Sequence, residues 1–331
     1  MHMELINFTM RKQPECHRSI SSVNETSYIC NAPAPSLHCI CAPVVLQWIH
    51  AKIGGVCVAE GSQFLSFRGI RVHYHVHLPE APLTNRVLLL GSPLMTTFNW
   101  RKLLPELDQM GCLTVTCDLP GFGKSLSEAD VPQGHEIRAS ILWGILDEVD
   151  RETGSPMSMW HLAGHGTACA TLLRMLNQAP DSVKTQMFIS PLLMLDPPVR
   201  GVKSLQAQFD EVVSSKERFQ AFMDAWSVQK LDDYVLDRMR KPLLQRGVRT
   251  NFARMVAHAH AEAGDDMGFC PTMVVYGNKD PLMDEKQLTA VRARLPDAEV
   301  HTLKSAGHYP METHSKALRD YMRGWIRYND T

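Results

Sequence analysis

The stretch Met159-Trp160-His161-Leu162-Ala163-Gly164-His165-Gly166-Thr167-Ala168-Cys169 constrains the fold more than any other. It opens as a short apolar run and closes in small residues. The helix-forming segment Thr171-Leu172-Leu173-Arg174-Met175-Leu176 follows at once. A strand that turns sharply into a helix reads this way, because small residues let the two elements approach closely.

Similar units lie on both sides of it. Arg86 to Leu90 and Cys112 to Cys117 are apolar runs with the length of buried strands, and Thr185 to Ser190, Thr272 to Tyr276 and Ala298 to Leu303 extend the series. Helical patterns separate them at about Asn99 to Met110, Glu136 to Glu152, Glu285 to Arg294 and Lys316 to Arg327. Such alternation predicts an α/β fold with a mostly parallel sheet flanked by helices. Gln63 to Phe67 and Ile70 to His77 read as a hairpin turning at Arg68-Gly69. Residues from about 196 to 260 break the alternation with helical patterns alone, as a helical cap over a pocket would. Residues 1–56 mix Ser, Asn, Pro, His and Cys without periodicity and read as a flexible N-terminal extension, leaving 57–331 as the folded domain.

The formal net charge of −1 argues against nucleic acid or an acidic membrane surface as the main partner. No apolar run approaches the roughly 18 residues of a membrane span. Five of the nine Cys lie in the first 57 residues, and the others sit in or beside apolar runs. That odd count and placement predict reduced thiols in a cytoplasmic protein. Cys39-Ile40-Cys41 has no second pair to complete a metal site. His73, His75 and His77 share one face of their strand, and with no carboxylate indicated nearby an exposed face is the simpler reading than a metal site.

Two loops after late strands carry titratable groups: Gly277-Asn278-Lys279-Asp280-Pro281-Leu282 and Ser305-Ala306-Gly307-His308-Tyr309-Pro310. With the 159–169 stretch they resemble the acid loop, histidine loop and nucleophile elbow of the α/β-hydrolase family, in the family's chain order. The resemblance covers about residues 60 to 331. Asn99-Trp100-Arg101 and Asp118-Leu119-Pro120-Gly121-Phe122-Gly123-Lys124-Ser125 are most similar to the epoxide-hydrolase and haloalkane-dehalogenase-like branch.

That resemblance implies roles. Asp280 would hold His308 in one tautomer through Nδ1, and His308 would act as a base through Nε2. Backbone N–H groups of Ser92 and Thr167 would form an oxyanion hole, with Leu90 standing where many relatives carry His. The nucleophile position falls on Gly166, which has no attacking atom and suits the positive φ of an elbow. Thr167, Cys169 and His165 are neighbours, but none has an obvious base in reach.

The expected substrate is a small, largely apolar molecule under the cap, with no cofactor and no metal. His258 and His260 fall in the cap region and read as a solvated helix face. Gly164 to Cys169 approaches a dinucleotide fingerprint but ends in Cys, and Gly121 to Ser125 ends like a phosphate loop but has Asp118 where the first Gly belongs. Three readings fit: a hydrolase or proton-transferring lyase using His308 and Asp280 without covalent catalysis, a non-catalytic ligand-binding or interaction protein, and an ordinary hydrolase in which Gly166 is an allelic or introduced change. No oligomeric state is specified.

Overall fold

The computed structural model describes residues 50–53, 56–59, 61–125, 131, 133–154, 159–193, 201–258 and 270–328. Of the extension expected at 1–56, residues 1–49, with the Cys39-Ile40-Cys41 pair, lie outside them. Strands β1 (His50–Ile53) and β2 (Val56–Ala59) pair as a small antiparallel sheet. Strands β3 (Gly61–Phe67) and β4 (Ile70–His77) form the hairpin, with Arg68 and Gly69 at φ 49° and 81°. Alternating exposure along β3 marks a strand with one wet face.

Strand β5 (Asn85–Leu90) carries four consecutive apolar residues that are fully buried, because both faces of a parallel sheet are covered. A 3₁₀ turn at Thr97–Trp100 and a separate α1 (Leu104–Gln109) replace the single helix expected from Asn99 to Met110. Pro105 explains the break: its ring and missing N–H suit a first helical turn and disrupt an interior. Strand β6 (Cys112–Cys117), α2 (His135–Glu152), β7 (Trp160–His165), α3 (Ala168–Gln178) and β8 (Val183–Ile189) follow.

Helices α4 (Val202–Ser214), α5 (Lys216–Ser227), α6 (Asp233–Leu243) and α7 (Arg246–His258) then interrupt the alternation. They pack on one another through Phe209, Phe219, Met223, Val235, Leu236 and Val248. Strand β9 (Thr272–Gly277), α8 (Glu285–Arg294), β10 (Glu299–Leu303), α9 (Pro310–Thr313) and α10 (Ser315–Tyr328) complete the chain.

The main sheet has eight strands in the order β10-β9-β8-β7-β5-β6-β4-β3. Pairing is parallel from β10 through to β6 and antiparallel at β4 and β3. This is the α/β-hydrolase fold, a mostly parallel sheet flanked by helices. Consecutive strands β5 and β6 build toward one edge, and the chain then returns to lay β7 on the other side of β5. Ligand sites of open α/β sheets form at such a reversal, beyond the carboxyl ends of the strands.

Among the described residues, Cys112, Cys117, Cys169 and Cys270 are buried thiols outside any disulfide. Among the described residues, no helix is long and apolar enough to cross a membrane.

Candidate active site

Four loops meet beyond the carboxyl ends of the parallel strands: those after β5, β7, β9 and β10 carry Ser92, Gly166, Asp280 and His308. Gly166 sits at φ +59°, between the end of β7 and the start of α3. A side chain on an L-residue is strained in this left-handed region, whereas glycine adopts it freely. A Cβ built on Gly166 would lie 3.6 Å from His308 Nε2 and 3.2 Å from Ser92 Cβ. The bend therefore aims position 166 at the histidine.

His308 and Asp280 meet through a 2.8 Å bond in which Nδ1–H donates to the Asp280 Oδ2 carboxylate oxygen. Both side chains are almost wholly buried. Burial opposes ionisation of Asp280, but the His308 hydrogen bond and charge, with the Leu282 N–H, outweigh it and hold the carboxyl below its usual range. Because Asp280 accepts at Nδ1, the neutral imidazole leaves Nε2 unprotonated and turned toward position 166.

Ser92 and Thr167 flank the same point. Neither is in a strand or helix interior: Ser92 follows β5, and Thr167 precedes the first residue of α3. The Gly166 carbonyl accepts from Leu192 N–H at 3.1 Å, and Gly166 N–H donates to the Ile189 carbonyl at 3.1 Å. Those two bonds tie the turn to the end of β8. Leu90 is fully buried at the end of β5.

His165 does a job that the sequence does not reveal. Its Nε2–H donates to the His308 carbonyl at 2.7 Å, which leaves Nδ1 to accept from the Ser92 hydroxyl at 3.1 Å. One buried imidazole thus links the histidine loop to the loop after β5. Burial, reinforced by the His308 charge, pushes its pKa down to about 3. Between pH 3 and 6.5 the unfolded chain binds a proton there and the native protein does not, so native stability rises with pH across that window. At pH 5 this residue alone costs about 2 kcal/mol relative to neutral pH. His135 and His77, pushed to about 3, and His75, pushed to about 4, act in the same direction, each mainly through burial. Urea midpoints at pH 7.5 and 5.0 test this: a lower midpoint at pH 5.0 is expected, and an unchanged or higher one contradicts it.

The neighbouring side chains do not offer another nucleophile. Cys169 is fully buried, its thiol bonded to the Gly164 carbonyl at 3.3 Å and its pKa driven upward by burial. The Thr167 hydroxyl points to Met255 Sδ at 4.0 Å, and both His165 nitrogens are engaged.

Helices α5 and α7 reach this site. The Trp226 carbonyl accepts the His308 N–H at 2.8 Å, and the two rings meet edge to face at 6.1 Å. A Cβ on Gly307 would lie 2.5 Å from the Trp226 and Ser227 carbonyl oxygens, so only glycine permits this approach. His258 closes α7, but its side chain and all of His260 lie outside the described residues.

The three strand histidines depart from the exposed face expected of them. His73 is 1% exposed and is bonded to Asp118, a carboxylate 45 positions away. The β4–β6 pairing causes this, since Asp118 N–H continues the ladder to the His73 carbonyl. His75 and His77 stack with centroids 4.0 Å apart. Among the described residues, no group of three His, Cys, Asp or Glu could hold a metal.

Comparison with known proteins places the fold. Residues 87–321 match the model of the Alpha/beta hydrolase family. A 2-hydroxy-6-oxononadienedioate/2-hydroxy-6-oxononatrienedioate hydrolase of Cupriavidus pinatubonensis is 24% identical over 288 residues, 82% of this chain and 96% of that one. Its Escherichia coli K12 counterpart is 20% identical over 72% of this chain and 86% of its own. Among solved structures, a haloalkane dehalogenase of Bradyrhizobium elkani superposes with TM-score 0.63 at 17% identity, covering 82% of this chain and 98% of that one. A thermophilic esterase of Thermogutta terrifontis gives 0.61 at 18%, with 81% and 100% covered.

Proposed function

The chain belongs to the alpha/beta hydrolase family, and we propose that it hydrolyses a small, largely apolar carbonyl compound by general-base activation of water. In this reading His308 Nε2 takes a proton from water, and the hydroxide adds to the substrate carbonyl carbon. The oxyanion formed accepts hydrogen bonds from the Ser92 and Thr167 N–H groups. Collapse expels the leaving group, which takes the proton back from His308. Asp280 keeps the imidazole in the required tautomer and offsets its charge while it is protonated. No acyl-enzyme forms at the elbow, because Gly166 supplies no attacking atom. Reversible proton transfer through the same base, as in a lyase, needs no further residue.

The observation that carries the reading is the 3.6 Å separation between His308 Nε2 and the Cβ position of Gly166, beside an Asp280–His308 bond of 2.8 Å. A base held this way faces the space that a nucleophile's side chain would fill. Met255 and Trp226 from α7 and α5 supply apolar surface around it. The relatives named for 2-hydroxy-6-oxo dienedioates make a carbonyl flanked by carboxylates a second substrate type to try.

Gly166 itself favours one rival: a protein that binds its ligand without turning it over. Activated esters and a 2-hydroxy-6-oxo dienedioate, offered in excess to the purified full chain, separate the two. Consumption well beyond one equivalent per chain is the expected result. Saturable binding without product establishes the rival.

A further inference from the structure

A serine–histidine–aspartate arrangement lies away from the elbow, on the antiparallel edge of the main sheet. The Asp118 Oδ2 oxygen accepts the His73 Nδ1–H at 2.9 Å, and the Ser62 hydroxyl lies 2.7 Å from His73 Nε2. In the neutral imidazole, Nδ1–H donates to the carboxylate and Nε2 accepts from the Ser62 hydroxyl. A serine hydroxyl is thus paired with a base that is oriented by a carboxylate.

The fold builds this arrangement from three strands. Strand β3 is the sheet edge, and its register places Ser62 opposite His75 and Phe64 opposite His73. Ser62 and His73 are therefore diagonal neighbours on one face, within reach of a long side chain. Strand β6 ends beside His73 and hands on directly to Asp118. The carboxylate is fixed by two further donors, Thr97 N–H at 2.8 Å and Lys124 N–H at 2.9 Å. The Ser125 hydroxyl accepts the His73 N–H at 2.7 Å and donates to the Asp118 carbonyl at 2.8 Å. Histidine and aspartate are thus held in a buried, rigid frame while Ser62 stays exposed.

A cavity of about 340 Å³ adjoins this cluster and is lined in part by Phe64 and Asp118. The Phe64 ring lies 5.1 Å from that of His73. Lys124, Arg238 and Lys241 also line the cavity, and among its described lining residues Asp118 is the one carboxylate. That carboxylate already accepts three hydrogen bonds, and among the described lining residues the three cations outnumber it. Ser62 lies two residues along β3 from Phe64, a separation of roughly 7 Å.

We propose that Ser62, His73 and Asp118 form a nucleophilic site separate from the elbow, one that accepts an acyl group from activated esters whose other end carries a carboxylate. The Ser62 oxygen attacks the ester carbonyl while His73 Nε2 takes its proton. The ester C–O bond then breaks, and the departing alcohol takes the proton from His73. An ester bond at Ser62 and one molecule of alcohol are the products. The distal carboxylate is held at the cavity by Lys124, Arg238 and Lys241.

The test uses the full chain with the para-nitrophenyl monoester of adipic acid, and with the neutral para-nitrophenyl hexanoate for comparison. Acid quenching, intact mass and peptide mapping locate the acyl group. Ser66 is the internal reference: it is exposed on the same face of the same strand and opposes Arg71 instead of a histidine. The expected result is one adipyl group on Ser62 and none on Ser66, formed at least 10-fold faster than the hexanoyl adduct. Ser62→Ala, a change at an exposed position, should abolish it, and His308→Ala should leave it unchanged. Equal labelling of Ser62 and Ser66, or adducts on lysines alone, overturns the site. Equal rates with the two esters overturn the choice of an anionic donor.

Discussion

Gly166→Ser is expected to raise hydrolysis of activated esters by about 10³-fold, and adding His308→Ala is expected to remove the gain. The substitution places a Cβ 3.6 Å from His308 Nε2, so the new hydroxyl comes within bonding reach of a base whose other nitrogen is held by Asp280. The wild type already has that base, so the gain comes from holding the attacking oxygen beside it in place of a captured water, an effect that can reach several powers of ten. The gain has a structural cost. Position 166 sits at φ +59°, where a non-glycine residue is disfavoured by about 1–2 kcal/mol. The Cβ also approaches Ser92 Cβ to 3.2 Å, so the loop after β5 must yield by a few tenths of an ångström. A lower melting temperature with higher esterase activity is the combined signature. A folded Gly166→Ser protein with no gain would show that the histidine does not reach an attacking atom at the elbow.

Asp280→Asn is expected to lower wild-type turnover by about 10³–10⁴-fold with the fold retained. An amide turned toward His308 donates where the carboxylate accepted, which forces Nδ1 to become the acceptor and puts the proton on Nε2. A protonated Nε2 cannot remove a proton from water. The carboxamide oxygen can still accept the Leu282 N–H that now bonds Oδ1 at 2.9 Å, so the turn after β9 keeps its local support. A merely structural aspartate would instead lower the urea midpoint and leave the activity per folded chain unchanged. Turnover normalised to the folded fraction separates the two.

Much of this architecture was legible in the sequence because the sheet is buried on both faces. Continuous apolar runs such as Val87 to Leu90 and Leu162-Ala163 have few other places to go. The Asp280 and His308 loops were legible for a related reason: each follows a strand of the series, Asp280 after the apolar Thr272 to Tyr276 and His308 after the more polar edge strand, and carboxyl ends of parallel strands are where the chemistry of these folds collects. The helix expected from Asn99 to Met110 failed at Pro105, where a local rule outweighed the longer apolar pattern.

What could not be read were contacts between distant positions. His73 meets Asp118 across 45 residues through strand register, and nothing in Ile70 to His77 itself signals a carboxylate partner. The same holds for His165, whose two bonds run to Ser92 and to the His308 carbonyl 143 positions away. The approach of Trp226 to His308 depends on how α5 lies against the loop after β10, and the small residue at Gly307 was its only trace in the sequence. Side-chain directions in helices α4 to α7 follow from their mutual packing, which periodicity alone does not orient.

One comparison decides whether His308 acts as the base at the elbow. Turnover of the same carbonyl substrates would be measured for Ser62→Ala and for Ser62→Ala combined with His308→Ala, so that the edge serine contributes to neither. Steady turnover is expected in the first protein and a loss of about 10²–10⁴-fold in the second. Equal rates in the two proteins would contradict that role for His308.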